Sequence, residues 1–310
     1  FGVMATGFML YGMSLLFGLT GTTYLKEILA FLAAGNLQPA VVVAVLLVLV
    51  GFLYKLAVFP MHFWAPDVYE GASNTTATFI ATVPKIAAAA LLIRIASFAV
   101  PPSPQIVLIL TILAGFSMTV GNIVGLVQKD IKRLLAYSGI AHAGYLIIGL
   151  IAFNREGFAA VIFYSAVYLV MNLGVFYVVM LLSRTGENVY VDDLSGLARR
   201  APLLAFTLAV SAFSLAGIPP TGGFTGKLFL LTSAFREGHL AIVIIGAVNT
   251  VISIFYYLNL VRMSYSKEIK GQTKMALTVH EKLLCCMVIF VLLYMGMLPY
   301  GLFEILRFSL

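Results

Sequence analysis

Apolar positions along the 310-residue chain form long, nearly unbroken runs, not the alternating or one-in-three-to-four pattern of a soluble domain. A helix needs about 20 such residues, at about 1.5 Å each, to cross a hydrocarbon core about 30 Å thick. Nine runs meet that length: 1–19, 39–64, 75–98, 105–127, 134–153, 158–182, 203–235, 240–262 and 281–303. They predict an all-α polytopic transmembrane helix bundle. The stretch TTYLKEILAFLAAG, residues 22–35, is short and amphipathic and predicts a helix lying at the interface.

Two runs are irregular. A continuous helix over 203–235 would be about 50 Å long, too long for the bilayer without steep tilt. It contains SLAGIPPTGGFTGK, in which Pro219 and Pro220 cannot donate backbone hydrogen bonds, freeing carbonyls near Leu215 and Ala216. With Gly222 and Gly223 close behind, a break over 216–223 is predicted. Pro60 predicts a second, milder interruption of the 39–64 run, near 59–64. Non-helical backbone at membrane depth persists only where protein or a wet cavity surrounds it.

Composition confirms the class. Apolar residues are 62% of the chain and charged residues only 10%, against about 25% charged in soluble domains. The net charge of +7 is no sign of nucleic acid, because basic residues flank the apolar runs as membrane orientation requires. One set of loops holds Lys129, Lys132, Arg133, Arg184, Arg199, Arg200, Arg262, Lys267, Lys270 and Lys274; the other holds Lys26, Arg155, Arg236 and Arg307. That imbalance predicts Phe1 at the cytoplasmic face and Leu310 on the outer side. The adjacent pair Cys285 and Cys286 lies in an apolar run, reading as two small core residues with no disulfide framework or metal site. The chain starts in an apolar run without an initiator Met or a signal-peptide flank, so it reads as the C-terminal part of something longer.

Three lysines fall within the runs: Lys55, Lys85 and Lys227. Each costs about 2.5–3.5 kcal/mol at a helix centre. Lys85 is too far from either end for its amine to snorkel out, and Pro84 loosens the helix beside it by freeing a carbonyl near Ile80. A desolvated lysine exchanges its proton at cellular pH, and two ammonium groups about 7 Å apart repel by about 2.4 kcal/mol at an effective dielectric of about 20. A row of lysines therefore relays protons without a redox group. His142, in YSGIAHAGYLIIG, suits either that relay or a tight packing face of small residues. His62 follows the break at Pro60. Tyr164, Tyr168 and Asn172 form a polar stripe that reads as helix glue, and Asp67 and Glu70 read as caps of a loop. No run carries an Asp or Glu in its interior.

The segments YKLAVFPMHFWAPDVYEGA, VPKIAAAALLIRI, QKDIKRLLAYSGIAHAGYLIIG and SLAGIPPTGGFTGKLFLL resemble, in this order, the subunit N family of proton-pumping NADH:quinone oxidoreductase, respiratory complex I. They also resemble its plastid and cyanobacterial counterparts and, more distantly, membrane subunits of multi-subunit cation/proton antiporters. The resemblance implies inverted five-helix repeats, each with one broken helix, in one antiporter-like membrane domain that covers residues 1–310 and lacks its upstream helices. It also implies that Lys55, Lys85 and Lys227 carry protons, and that a key glutamate lies one helix before Phe1. Further implied are no cofactor in this chain, flavin and iron–sulfur clusters in partner subunits, NADH and quinone as substrates of the complex, and a bacterial inner-membrane location. The partners would be other membrane subunits and lipid. Two other readings stay open: a cation/proton antiporter subunit, and a scaffold whose lysines only hold broken helices together.

Overall fold

In the computed structural model, which describes residues 2–34, 38–98, 104–183, 187–267 and 275–309, each apolar run folds as helix. The chain begins with α1 (Gly2–Thr20), the short amphipathic α2 (Leu25–Ala33) and α3 (Pro39–Leu56); residues 57–63 separate α3 from α4 (Trp64–Gly71). Then come α5 (Asn74–Phe98), α6 (Pro104–Gly125), α7 (Ile131–Ile151) and α8 (Arg155–Leu182). A 3₁₀ turn (Val191–Leu194) and α9 (Leu197–Arg200) lead to α10 (Pro202–Ala216) and α11 (Gly222–Arg236). The last elements are α12 (Leu240–Ser264), α13 (Val279–Met297) and α14 (Pro299–Ser309). Eight of these helices are long and apolar enough to cross a membrane; α10 is apolar but shorter, and α11 follows it across a break. The last span is shorter than expected: it ends at Met297, and Pro299 opens a separate helix. Gly35, Arg184, Lys270 and Lys274 lie outside the described residues.

Helix α7 is the axis of the bundle, buried over nearly its whole length. Small residues make that possible. A Cβ placed on Gly144 would lie 2.8 Å from the Ala114 carbonyl, and one on Gly121 would lie 2.6 Å from the Tyr137 carbonyl, so α6 and α7 meet backbone to backbone. Amides fasten α12 to α6. The Asn122 Nδ2 donates to Oδ1 of Asn249 at 3.0 Å, the Tyr256 hydroxyl donates to Asn122 Oδ1 at 2.9 Å, and Asn249 Nδ2 reaches Thr119 Oγ1 at 3.3 Å. By contrast α1 packs chiefly on α3, and much of its surface is exposed. Of the two cysteines, only Cys285 is in the core; Cys286 is exposed, since neighbours on a helix point about 100° apart.

The two ends of the bundle carry the two sets of basic residues. At one end Arg199 donates to the Lys267 carbonyl at 3.4 Å; at the other, Arg236 and Arg307 both pair with Glu156, at 2.6 and 3.7 Å. Asp67 and Glu70 are not loop caps as expected but residues of α4, and they bind Arg133 of α7 at 2.8 and 2.7 Å. Lys132 donates to the Ala72 carbonyl at 2.7 Å, just past the end of α4. Asp130 caps α7 by accepting from the Arg133 backbone N–H at 2.8 Å. Burial pushes the Asp130 carboxyl upward, and that backbone hydrogen bond works against the shift. Arg133 and Lys132 thus pin the short helix α4 onto the axis. Arg133→Met is expected to lower stability by about 1 kcal/mol, because both pairs are partly exposed. Thermal unfolding in detergent would show a Tm lower by about 2 °C.

Candidate functional site

The second break supplies the first piece of the site. Helix α10 ends at Ala216, Gly217 turns into the left-handed region at φ +83, and α11 restarts at Gly222. Only residues 217–221 are non-helical, so the break is narrower than the expected 216–223 and Gly222 and Gly223 belong to α11. In a continuous helix the amides of residues 219 and 220 would bond the carbonyls of Leu215 and Ala216. Both positions are proline and have no N–H. Lys227, one turn into α11 and buried, fills the gap: its Nζ donates to Leu215 O at 3.0 Å and to Ala216 O at 3.1 Å. The Tyr145 ring covers the amine, with its centroid 4.8 Å away.

Lys85 sits in the middle of α5, directly after Pro84, and the helix runs on through that proline. The side chain is buried, and among the described residues Nζ has no hydrogen-bond partner. Aromatic rings from α4 and α8 surround it, with the Tyr69 centroid at 5.9 Å and the Tyr168 centroid at 6.0 Å. Both tyrosine hydroxyls are likewise buried and have no hydrogen-bond partner among the described residues. Small size at Gly139 of α7 makes the room: a Cβ there would lie 2.6 Å from Lys85 Nζ and 3.0 Å from the Tyr168 hydroxyl.

His142 lies between the two lysines, within electrostatic reach of each. It is 2% exposed, and both ring nitrogens are engaged. Nδ1 is 2.5 Å from the Tyr164 hydroxyl of α8, and Nε2 is 3.1 Å from the Tyr257 hydroxyl of α12. Tyr257 also bonds the Ser138 hydroxyl of α7. The result is a file of titratable groups in the buried centre of the bundle, with no carboxylate beside any of them among the described residues.

Lys55 does not join this line. It occupies the last turn of α3, but the buried ridge of that helix runs through Phe52 and Leu56, and Lys55 lies about 100° around from it on an exposed face. Of the three expected lysines, Lys85 and Lys227 are buried with His142, while Lys55 is exposed among the described residues. The break beyond Lys55 is also more complete than expected. The chain leaves helix at Ala57, with φ 58, and passes through Phe59 and Pro60 to Trp64 before α4 begins. Ser117 of α6 supports that turn by accepting from the Phe59 N–H at 3.0 Å. His62 is buried there, its ring against Phe59 and Phe63 at 5.5 and 4.3 Å.

The stripe of Tyr164, Tyr168 and Asn172 does more than hold helices together. Its two tyrosines face His142 and Lys85, while Asn172 Nδ2 donates to the Tyr168 carbonyl of its own helix at 2.8 Å. Tyr69, Tyr145 and Tyr257 were not anticipated at all. A signal existed: tyrosine belongs at membrane interfaces, and Tyr145 and Tyr257 stand deep inside their apolar runs.

The model of the family described as NADH:quinone oxidoreductase/Mrp antiporter, TM matches residues 1–253. A protein named NADH-quinone oxidoreductase subunit N 2 from Opitutus terrae is 48% identical over 300 residues, covering 96% of this chain and 63% of its own. NADH-quinone oxidoreductase subunit N from Rhodospirillum rubrum is 39% identical over 274 residues, covering 86% of this chain and 55% of its own. The chain thus spans about three fifths of the length of the curated relatives it matches. Among solved structures, respiratory complex I from Thermus thermophilus with bound aureothin contains a chain that aligns with TM-score 0.85 and 34% identity, over 98% of this chain and 66% of that one. The Mrp complex of a Dietzia species shares the fold at TM-score 0.87 and 22% identity, over 99% of this chain and 65% of that one.

Proposed function

The chain belongs to the NADH:quinone oxidoreductase/Mrp antiporter transmembrane family, and from that premise we propose that it is the proton-translocating subunit N of an NADH:quinone oxidoreductase. Protons pass along Lys85, His142 and Lys227, driven by electron transfer from NADH to quinone in other subunits. This chain holds no redox group of its own; flavin and iron–sulfur clusters belong to partner subunits. Its partners are the neighbouring membrane subunits and lipid. The end bearing Arg133, Arg199, Arg200, Arg262 and Lys267 faces the cytoplasm of a bacterial inner membrane, by the excess of positive charge there.

One observation carries the reading. Two lysines lie buried inside the spanning bundle, on either side of a buried histidine, and among the described residues no acidic side chain neutralises them. Membrane-depth amines of this kind are retained where their charge changes in the working cycle. A scaffold role accounts for Lys227, which replaces two missing backbone donors, but it leaves Lys85 without a purpose.

The test uses the full-length chain in its assembled membrane complex, reconstituted in vesicles. Lys227→Met is expected to lower NADH-driven proton uptake by about tenfold or more. Uptake at the parent rate would rule Lys227 out of the path. Sodium flux that continues when the proton gradient is collapsed would instead favour the cation/proton antiporter reading.

A further inference from the structure

The row as described leaves a gap between the lysines and the histidine, and groups that hydrogen-bond in series extend from the histidine toward each of them. Ser138, Tyr257, His142 and Tyr164 form an unbroken sequence: Ser138 hydroxyl to Tyr257 hydroxyl, Tyr257 hydroxyl to His142 Nε2 at 3.1 Å, His142 Nδ1 to Tyr164 hydroxyl at 2.5 Å. All four side chains are buried. The sequence also ends in the right places. Ser138 precedes Gly139, whose position is within 2.6 Å of the Lys85 amine once a Cβ is added; the Tyr164 ring packs on Gly226, which precedes Lys227.

We propose that Tyr257 is a proton-carrying residue whose hydroxyl, set between Ser138 and His142, joins the Lys85 end of the row to the Lys227 end. The inference rests on the proton-translocating reading above and adds a residue on α12 to it. Neutral imidazole offers one N–H and one lone pair, so one tyrosine donates to His142 and the other accepts from it. With Nδ1–H donating to the Tyr164 oxygen, Nε2 accepts from the Tyr257 O–H, and the Ser138 O–H points at the Tyr257 oxygen. A proton arriving at Ser138 forms a new O–H there, and the Ser138 proton passes to Tyr257. The Tyr257 O–H then breaks as an N–H forms at Nε2, the Nδ1–H breaks as an O–H forms at Tyr164, and the former Tyr164 proton passes on toward Lys227. Each hop breaks one O–H or N–H bond and makes one, so a single proton crosses and all four groups end neutral with their hydrogen bonds reversed. No oxidant or reductant takes part.

The neighbouring Tyr256 provides a matched control on the same helix. Its hydroxyl donates to Asn122, which leads on to Asn249 and Thr119, and none of these releases a proton near neutral pH. Tyr256 also touches Tyr257, at 4.4 Å between ring centroids, but its hydroxyl is no part of the Ser138–Tyr257–His142 hydrogen bonds. In the full-length chain within the assembled, reconstituted complex, Tyr257→Phe is expected to cut proton uptake per assembled complex by about tenfold or more. Tyr256→Phe is expected to keep the parent rate. Ser138→Ala breaks the same link from α7 and is expected to match Tyr257→Phe, which settles the question even where one variant assembles poorly. Parent-level uptake in Tyr257→Phe or Ser138→Ala, with Lys85→Met inactive, would overturn this link and leave the lysine row standing. An equal loss in Tyr256→Phe would overturn it too, by marking a general loosening of α12. Parent-level uptake in Lys85→Met would instead make Lys85 structural and take the row this link is built on out of the path.

Discussion

Lys85→Met is expected to lower proton transfer by about 10²-fold while leaving assembly of the chain intact. The reasoning starts from what the side chain touches. Its amine makes no hydrogen bond among the described residues and is surrounded by the rings of Tyr69 and Tyr168. Met has nearly the same volume and is apolar, so the exchange removes a desolvated amine without opening a cavity. Fold stability should stay level or rise. Arg at the same position keeps a charge that cannot be given up near neutral pH, and it must fit beside Gly139, where even an added Cβ would crowd the present amine. Transfer is therefore blocked in both variants, for opposite electrostatic reasons. Proton uptake in vesicles, measured beside electron transfer in the intact complex, decides. Two variants that pump like the parent would make Lys85 a structural residue.

Lys227→Met should behave differently although it lies in the same row. It strips donors from the carbonyls of Leu215 and Ala216, and each buried carbonyl left alone costs about 1–3 kcal/mol. Loss of transport at Lys227 thus comes with weakened folding, whereas at Lys85 it does not.

The largest effect on stability is expected at Gly223, where substitution by Ala should prevent assembly. A Cβ at this position would run into the backbone carbonyl of Ser214, across the break from α11 to α10. Backbone cannot yield as a flexible side chain does, so the cost is about 3 kcal/mol or more. Gly222, its neighbour, is the comparison: a Cβ there meets side chains of Met295 and Val167 at 3.1 and 3.3 Å, and Gly222→Ala should assemble at reduced stability. Yield of detergent-stable complex measures both. Equal yields from the two variants would show that the close approach of α10 and α11 is not what holds the break.

The breaks and the lysines were legible because each violates a rule of the membrane. Prolines at 219 and 220 remove two donors, which located both the break and the carbonyls that needed a new partner, and Lys227 supplies it. The orientation of Lys55 was not legible. Helix α3 is apolar nearly all round, so no periodicity tells the packed side from the exposed one, and only the burial of Phe52 and Leu56 does. The depth of the first break was hidden for another reason. Pro60 announced an interruption, but the chain already leaves helix at Ala57, a residue with no local preference for positive φ. The tyrosine partners of His142 come from α8 and α12, and Tyr257 stands 115 residues away. Pairings between helices leave no period in one sequence; they become visible only once α7 is known to be the axis.

The seat of Lys227 has a consequence for how its charge is held. Helix α10 ends at the amine, and the aligned peptide units of a helix place about half a negative charge at that terminus. The ammonium is therefore balanced by the macrodipole of a half-helix and not by an acid. A carboxylate counter-ion takes up the proton it is meant to balance, and so competes with the next carrier. Peptide carbonyls do not titrate. In the proposed relay, a proton resting on Lys227 meets a counter-charge that attracts it without capturing it, so release depends only on the groups further along the row.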